Sequence, residues 1–486
     1  MNSTLYEPVI GLEIHAQLLT RTKLFCGCST EYGRSPNSLV CPVCLGLPGA
    51  LPMLNQEAVV MAIKLALAVK AEIHLHSGFS RKNYFYPDLP KGYQITQYSS
   101  PLATEGYLKI ESDGTSKTIG IDRINLEEDA GKSIHEGMTD SAEKTYLDFN
   151  RSGIPLLEIV GKPEITSPAD ATEFVQLFRT VLQYLEICDG NMEEGSLRCD
   201  ANLSVRKKGS QKLGVKTEIK NLNSFRFLQK ALEYEAKRQI ELIKTGNPIL
   251  QETRLWDEKQ NKTLPMRSKE EAHDYRYFPE PDLPQLILSE ESIEEIRSSL
   301  PELPQQKMER FVREYKLPPY DAKILTSSRK MADYFEQTAR ASKESKQASN
   351  WIMREVLQYL KSQHINIDQF PLPPENLAEL ICLVEKKEIT QRTAKEKVFP
   401  EMIRSRTSAA EIVSRKGMRQ LSDEGQIEEI IQKVIQKNPK SFKQYLEGKN
   451  KVMGFLVGQV MKDTRGLANA QLVNKLLREI LEGFKK

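Results

Sequence analysis

The stretch Leu197-Arg-Cys-Asp-Ala-Asn-Leu-Ser-Val205 alternates without a break: Leu197, Cys199, Ala201, Leu203 and Val205 against Arg198, Asp200, Asn202 and Ser204. Successive side chains of a β-strand leave opposite faces, so this is a strand with one buried and one polar face. The pattern recurs outward from it. Val215, Thr217 and Ile219 interleave with Lys216, Glu218 and Lys220; Leu147 and Phe149 interleave with Asp148 and Asn150; and Ile10, Leu12 and Ile14 bracket Glu13 and His15. Helical spacing predicts interruptions at Gln56–Val69, at Ala169–Leu185 after Ser167-Pro168, and from Ser224 to Lys244. Strands mixed with a few helices point to an α+β domain rather than a doubly wound parallel sheet. After Pro279-Glu-Pro-Asp-Leu-Pro284 the apolar residues fall at intervals of three and four, and the chain is expected to be helical, with breaks at Pro371-Leu-Pro-Pro374 and near Pro400.

A chain of 486 residues exceeds one hydrophobic core, so two to four domains are expected. Hydrophobic residues at 39% and charged residues at 28% place it among water-soluble globular proteins. The apolar run Val59–Ala68 carries Lys64 and is too short to cross a membrane, and Met1–Ile10 has neither a basic start nor an apolar core, so a cytoplasmic protein without membrane contact is expected. The net charge of +3 conceals an asymmetry. From Glu401 onward there are 17 Lys and Arg against 10 Asp and Glu, a local +7 that leaves −4 for the rest. Lys433, Lys437, Lys440, Lys443, Lys449 and Lys451 accompany the apolar positions of the last helices, a pattern that fits either a solvated face or contact with a polyanion.

Of seven cysteines, four cluster as Cys26-Gly-Cys28 and Cys41-Pro-Val-Cys44, and Cys188, Cys199 and Cys382 are scattered in core-like contexts. Two closely spaced pairs suit tetrahedral thiolate ligation of zinc, and four protein ligands leave no open position, so the site reads as structural. A second constellation is looser. Glu13 and His15 leave one face of a strand, and Glu128, Asp148, Glu158, Asp200 and Glu218 lie on other polar strand faces. Carboxylates with one imidazole favour Mg²⁺ or Mn²⁺ over zinc, although each residue alone reads more readily as a solvated surface charge, and only the recurrence of carboxylates on apolar strands lifts the set. Arg151, Arg198, Lys216 and Lys220 are interleaved, as phosphate chemistry requires, or as plain salt bridging would produce. No P-loop and no Ser/His/Asp or Cys/His nucleophile set is present, so ammonia, if used, would come from another polypeptide.

Leu147-Asp-Phe-Asn-Arg-Ser-Gly-Ile-Pro-Leu-Leu-Glu-Ile-Val160 closely resembles the signature segment of the GatB family. Gly11–Leu18, Cys41–Pro52, Lys82–Tyr93, Asn191–Asp200 and Glu218–Ser224 follow in the family's order, and the resemblance spans essentially the whole chain. It implies a cradle-shaped catalytic domain over residues 1–292 with a zinc-binding insert, a helical domain over 293–405 and a small YqeY-like tail over 406–486 that binds tRNA. It implies the B subunit of an ATP- and Mg²⁺-dependent amidotransferase that phosphorylates the side-chain carboxylate of Glu-tRNA(Gln) or Asp-tRNA(Asn) and amidates it with ammonia from a glutaminase A subunit, a C subunit completing the heterotrimer. By that resemblance Glu13, His15 and Glu128 hold the Mg²⁺, Asp200, Glu218 and Lys220 join the catalytic set, Asn150, Arg151, Arg198 and Lys216 contact the nucleotide, and Cys26, Cys28, Cys41 and Cys44 hold zinc. Two other readings are a non-catalytic zinc-containing tRNA-binding or assembly protein and a free-standing metal-dependent ATPase.

Overall fold

The computed structural model describes residues 5–112, 114–134, 140, 143–268, 272–421, 423–449, 451–464 and 466–484. The chain divides into two compact units, Met1–Pro304 and Gln305–Lys486.

The first unit is built on a nine-stranded sheet. Its strands are β1 (Tyr6–Gln17), β2 (Glu72–Ile73), β3 (Ala103–Ser112), β4 (Thr115–Glu128), β5 (Pro155–Gly161), β6 (Leu197–Lys207), β7 (Thr217–Lys220), β8 (Glu252–Asp257) and β9 (Lys262–Ser268). Their spatial order is β9-β8-β7-β6-β1-β5-β4-β3-β2, so β1 lies at the centre, antiparallel to both β5 and β6. Only β7 and β8 pair in parallel among these strands.

One face of the sheet is covered by the helices α1 (Gln56–Ala68), α2 (Pro168–Tyr184) and α3 (Phe225–Lys244), each within a residue or two of its expected span. The sequence sets their starts. Asn55, Ser167 and Ser224 each accept hydrogen bonds from backbone amides of the first turn, satisfying donors that a helix leaves unpaired. Between helices and sheet lie Ile10, Leu12, Ile14, Phe174, Phe178, Leu203 and Trp256, none more than 2% exposed. That apolar face leaves the alternate residues of every strand to the other side, so the polar face follows from period two. A small sheet of Ser80–Asn83, Tyr93–Thr96 and Phe278–Pro279 belongs to the same unit.

A further helix, α4 (Glu290–Ser298), contributes Ile293 to this core. From Gln305 onward the described residues are helical, as expected. One apolar cluster runs from Phe311 to Val413 around Phe335, Trp351 and Met402, and a second from Ile427 to Leu481 around Ile431, Leu456 and Leu477. No helix among the described residues is long and apolar enough to cross a membrane.

Candidate active site and metal centres

Strand register assembles the polar face into rows. Asn125 of β4, Glu158 of β5, His15 of β1 and Arg198 of β6 are mutual partners across four strands, and Glu13 sits opposite Asp200 in a neighbouring row. Side chains directly opposite in an antiparallel pair share a face, so the register alone brings these groups together. The His15 Nε2 lies 3.6 Å from the Glu13 carboxylate, 3.6 Å from that of Glu127 and 4.0 Å from that of Glu158. Asn125 Nδ2 donates to Glu158 at 2.7 Å and fixes its orientation.

Burial and mutual repulsion make this an uncomfortable set of charges. Burial, reinforced by Glu158, pushes the Glu127 carboxyl up to about 8. Burial and then Asp200 raise Glu13, and burial lowers His15, holding its imidazole neutral. A divalent cation removes that frustration, because it favours ionised carboxylates and a neutral imidazole. One ligand atom each from Glu13, His15 and Glu158 lie within 4.8 Å of one another, a spread that a single ion spans with small side-chain adjustments.

Fixed cations border the cluster. Burial works against the charge of Lys82, but Glu127, Tyr277 and Glu158 more than offset it and raise its affinity for the proton. Lys220 donates to Asp200 at 2.6 Å and lies 3.4 Å from Glu218. Arg198 reaches Asp129 at 2.9 Å; burial opposes that carboxylate's charge, yet Arg198 and Arg151 hold it below the usual range. On the flank beyond Glu13, a cleft of about 560 Å³ is bordered by Gly11, Asn202, Ser204, Gly214 and Lys216.

The four clustered cysteines converge as well. Their sulfurs all lie within 4.8 Å of one another, and those of Cys41 and Cys44 are 3.9 Å apart, near the roughly 3.8 Å edge expected for sulfurs about 2.3 Å from a tetrahedral ion. A hydrogen bond with Cys26 holds Cys44 down to about 4, whereas burial pushes Cys28 up to about 11. The fully buried Lys23 ammonium lies 3.6 Å from the Cys44 sulfur and donates to the Phe149 carbonyl at 3.1 Å. The loop is then tied to the segment before β5. Asn37 exchanges hydrogen bonds with Leu147, Asp148 and Phe149, and Asn150 accepts from Leu39 and donates to Ser35. Gly153, at φ +85°, packs against Cys44 and Lys23. The residues match zinc in donor type, number and spacing.

The family model for the GatB/GatE catalytic domain matches residues 8–294, and the one for the GatB domain matches 333–481. The chain belongs to the GatB/GatE family. It is 54% identical to the B subunit of the aspartyl/glutamyl-tRNA(Asn/Gln) amidotransferase of Thermodesulfovibrio yellowstonii, an alignment covering 98% of this chain and 99% of the relative. Coverage is the same for the protein of that name from Carboxydothermus hydrogenoformans, at 53% identity, and the counterpart from Persephonella marina is 51% identical over 98% of this chain and its own full length.

Within this GatB/GatE chain the expected residues divide. Glu13, His15, Asp200, Glu218, Lys220 and Arg198 share the polar face with Glu158, and Lys216 borders the cleft beside Glu13. Glu128, expected among the metal ligands, faces the other way. It is buried, pairs with Lys91 and accepts the Ile95 amide at 3.0 Å. Glu127 takes the place beside His15. Apolar residues of β4 face the core at Ile119 and Ile121 but then at Ile124 and Leu126, and where that parity reverses the pairing with β5 shifts register. Parity counted from Leu126 would have placed Asn125, Glu127 and Asp129 on the polar face. Asn150 and Asp148 hold the cysteine loop, and Arg151 donates to the carbonyls of Ala130 and Gly131 at 3.0 and 2.5 Å. Lys82, Tyr84 and Tyr277 carry no signal in their spacing; they arrive from the small sheet and its neighbouring loops.

Proposed function

We propose that this chain is the subunit of a tRNA-dependent amidotransferase that converts the side-chain carboxylate of Glu-tRNA(Gln), Asp-tRNA(Asn) or both into the amide. The observation that carries this reading is the convergence of Glu13, His15 and Glu158, with Glu127, on the polar face of a sheet whose cations flank them. An unactivated carboxylate is a poor acyl donor to an amine. Phosphorylation by ATP converts its oxygen into a leaving group, and ammonia then displaces phosphate. Ammonia would come from a glutaminase A subunit, with a small C subunit as the third member of the complex.

Glu13, His15 and Glu158 would hold Mg²⁺ or Mn²⁺, which when bound screens phosphate charge and polarises phosphoryl oxygens. The chain's own part is positional. Lys220 and Arg198 stand ready as fixed positive charge for phosphate oxygens, and Asp200, Glu218 and Asp129 keep those cations in place. Lys216 and the cleft beside Glu13 offer the nucleotide a seat, and Arg198 lies on the same face. Asn150 and Arg151 serve indirectly, by shaping the loops around that face. Cys26, Cys28, Cys41 and Cys44 would hold a structural zinc. The 406–486 tail, with Lys433, Lys440, Lys443, Lys449 and Lys451 all exposed, would grip the body of the tRNA in the cytoplasm.

The test is reconstitution with A and C subunits, following Gln-tRNA(Gln) formed from Glu-tRNA(Gln), ATP and glutamine. Wild-type complex is expected to convert, and the Glu158→Gln complex to lose conversion while retaining tRNA binding and glutamine hydrolysis. Equal conversion by both would make this chain a tRNA-binding assembly protein instead, and ATP hydrolysis by the chain without tRNA or partners would make it a free-standing ATPase.

A further inference from the structure

The flank of the carboxylate cluster opposite the cleft is aromatic. Tyr98 and Tyr277 stack with ring centroids 4.0 Å apart and planes 6° from parallel, and Tyr275 meets Tyr277 and Tyr84 edge-on at 6.1 Å. Tyr86 continues the group at 6.0 Å from Tyr84. Cations are interleaved, with the Lys82 ammonium 5.0 Å from the centre of the Tyr275 ring and Arg276 exposed between the two tyrosines. The group borders the reacting region, since Gln97, next to Tyr98 in the chain, accepts at 3.0 Å from the backbone amide of Leu126, next to Glu127.

This group is also held in a conformation the chain does not adopt freely. Arg276 has φ +44°, in the left-handed region that costs a non-glycine residue energy. Asn83 fixes the turn by donating to the carbonyls of Tyr275 at 3.3 Å and Arg276 at 2.8 Å, and Phe278 and Pro279 pair with the strand that carries Asn83. The turn thereby presents Tyr275 and Tyr277 on one side of an exposed arginine. Yet two of the rings are open to solvent. Tyr98 and Tyr86 are 44% and 48% exposed, whereas the cleft on the Glu13 flank has no aromatic residue in its lining.

We propose that Tyr98 and Tyr277, with Tyr86 and Arg276 beside them, form a platform on which the unpaired 3′ end of the aminoacylated tRNA stacks, setting its esterified amino acid against the carboxylate cluster. The inference rests on the tRNA amidotransferase reading above. Open aromatic faces with interleaved cations are how proteins take single-stranded nucleic acid, because every base has a π-face and the backbone is anionic. A small nucleotide needs an enclosing cavity, and that lies on the other flank. The two flanks therefore divide the substrates, with the small molecule in the glycine-bordered cleft and the polymer end on the open rings.

The experiment uses the reconstituted complex with Tyr98→Leu, Tyr98→Phe and Arg276→Ala. Tyr98→Leu is expected to raise the KM for Glu-tRNA(Gln) on the order of 10- to 100-fold, with the KM for ATP within about twofold of wild type, and Tyr98→Phe to restore it because the ring remains. In parallel, binding of deacylated tRNA is compared with that of the same tRNA lacking its terminal adenosine. Wild type should favour the intact end, and Tyr98→Leu should not distinguish the two. A rise confined to the ATP KM would assign the rings to the adenine of ATP and overturn the proposal. An unchanged tRNA KM with the end preference intact in Tyr98→Leu and Arg276→Ala would also overturn it, reducing the rings to packing. A wild-type complex that does not amidate at all would instead sink the underlying reading, an outcome distinct from either.

Discussion

The cysteine cluster and the Glu13–His15–Glu158 cluster both gather ligand atoms within 4.8 Å, but they are assembled by opposite means. The cysteines come from one loop spanning nineteen residues that is rich in glycine and proline, contributes few residues to the core and is tied down otherwise by the hydrogen bonds of Asn37 and Asn150. The carboxylate cluster is spread from residue 13 to residue 158, and every member stands on a strand whose far side is buried in the core. In the proposed reading, the first cluster would need its ion to hold its loop in shape, whereas the second is set in place by the sheet and would only offer an ion its ligands. A site that shapes its own loop should show its loss as unfolding; a site imposed by the fold should show its loss as inactivity.

The largest effect follows from the first half of that contrast. Replacing Cys26 and Cys28 together by Ser is expected to abolish zinc content and open residues 26–53 to limited proteolysis, since structural zinc supplies folding free energy directly. Protease resistance retained without zinc would show that the loop is held by Asn37 and Asn150 instead, and the contrast would collapse. Next comes Glu13→Gln or Glu158→Gln, expected to lower the amidation rate by about 10²-fold or more with a thermal midpoint within about 3 °C of wild type. A fall in midpoint as large as that of the cysteine variant would show that the carboxylates, too, are structural.

The neighbouring carboxylates of β4 sharpen the comparison further. Glu127→Gln should shift the Mg²⁺ dependence of amidation, whereas Glu128→Gln should act through stability, on the order of 1–3 kcal/mol, because it leaves the buried Lys91 ammonium without its counter-charge. Reversed phenotypes, read by metal titration and thermal melting, would reverse the parity assignment. The smallest effect is expected from Asn150→Ala, which removes two hydrogen bonds to the cysteine loop at a cost of about 1–2 kcal/mol while leaving the nucleotide KM unchanged. A nucleotide KM that rose severalfold would return Asn150 to the nucleotide contacts.

What could be read from the sequence follows the same division. The cysteine set is legible because its information is local spacing, and α1, α2 and α3 are legible because helical periodicity and their caps at Asn55, Ser167 and Ser224 are local too. The pairing of His15 with Glu158 and Arg198 is a matter of register between strands far apart in sequence, which no window contains. The family resemblance points to Glu128, and alternation alone does not decide between it and Glu127: parity counted from Ile119 and Ile121 favours Glu128 and parity counted from Leu126 favours Glu127, because the strand changes phase at Asp122. Lys82 and the tyrosines of 84–98 and 275–277 have no periodic context at all. They gain a role only once the small sheet sets them beside the polar face.

The central place of β1 has a kinetic consequence. Tyr6–Gln17 is synthesised early, yet its two partners, Pro155–Gly161 and Leu197–Lys207, follow far later in the chain. At ordinary elongation rates that interval is about 10–40 s. Until Pro155–Gly161 is made, an apolar strand carrying Glu13 and His15 has neither native edge partner, which leaves both edges open to wrong pairing during synthesis.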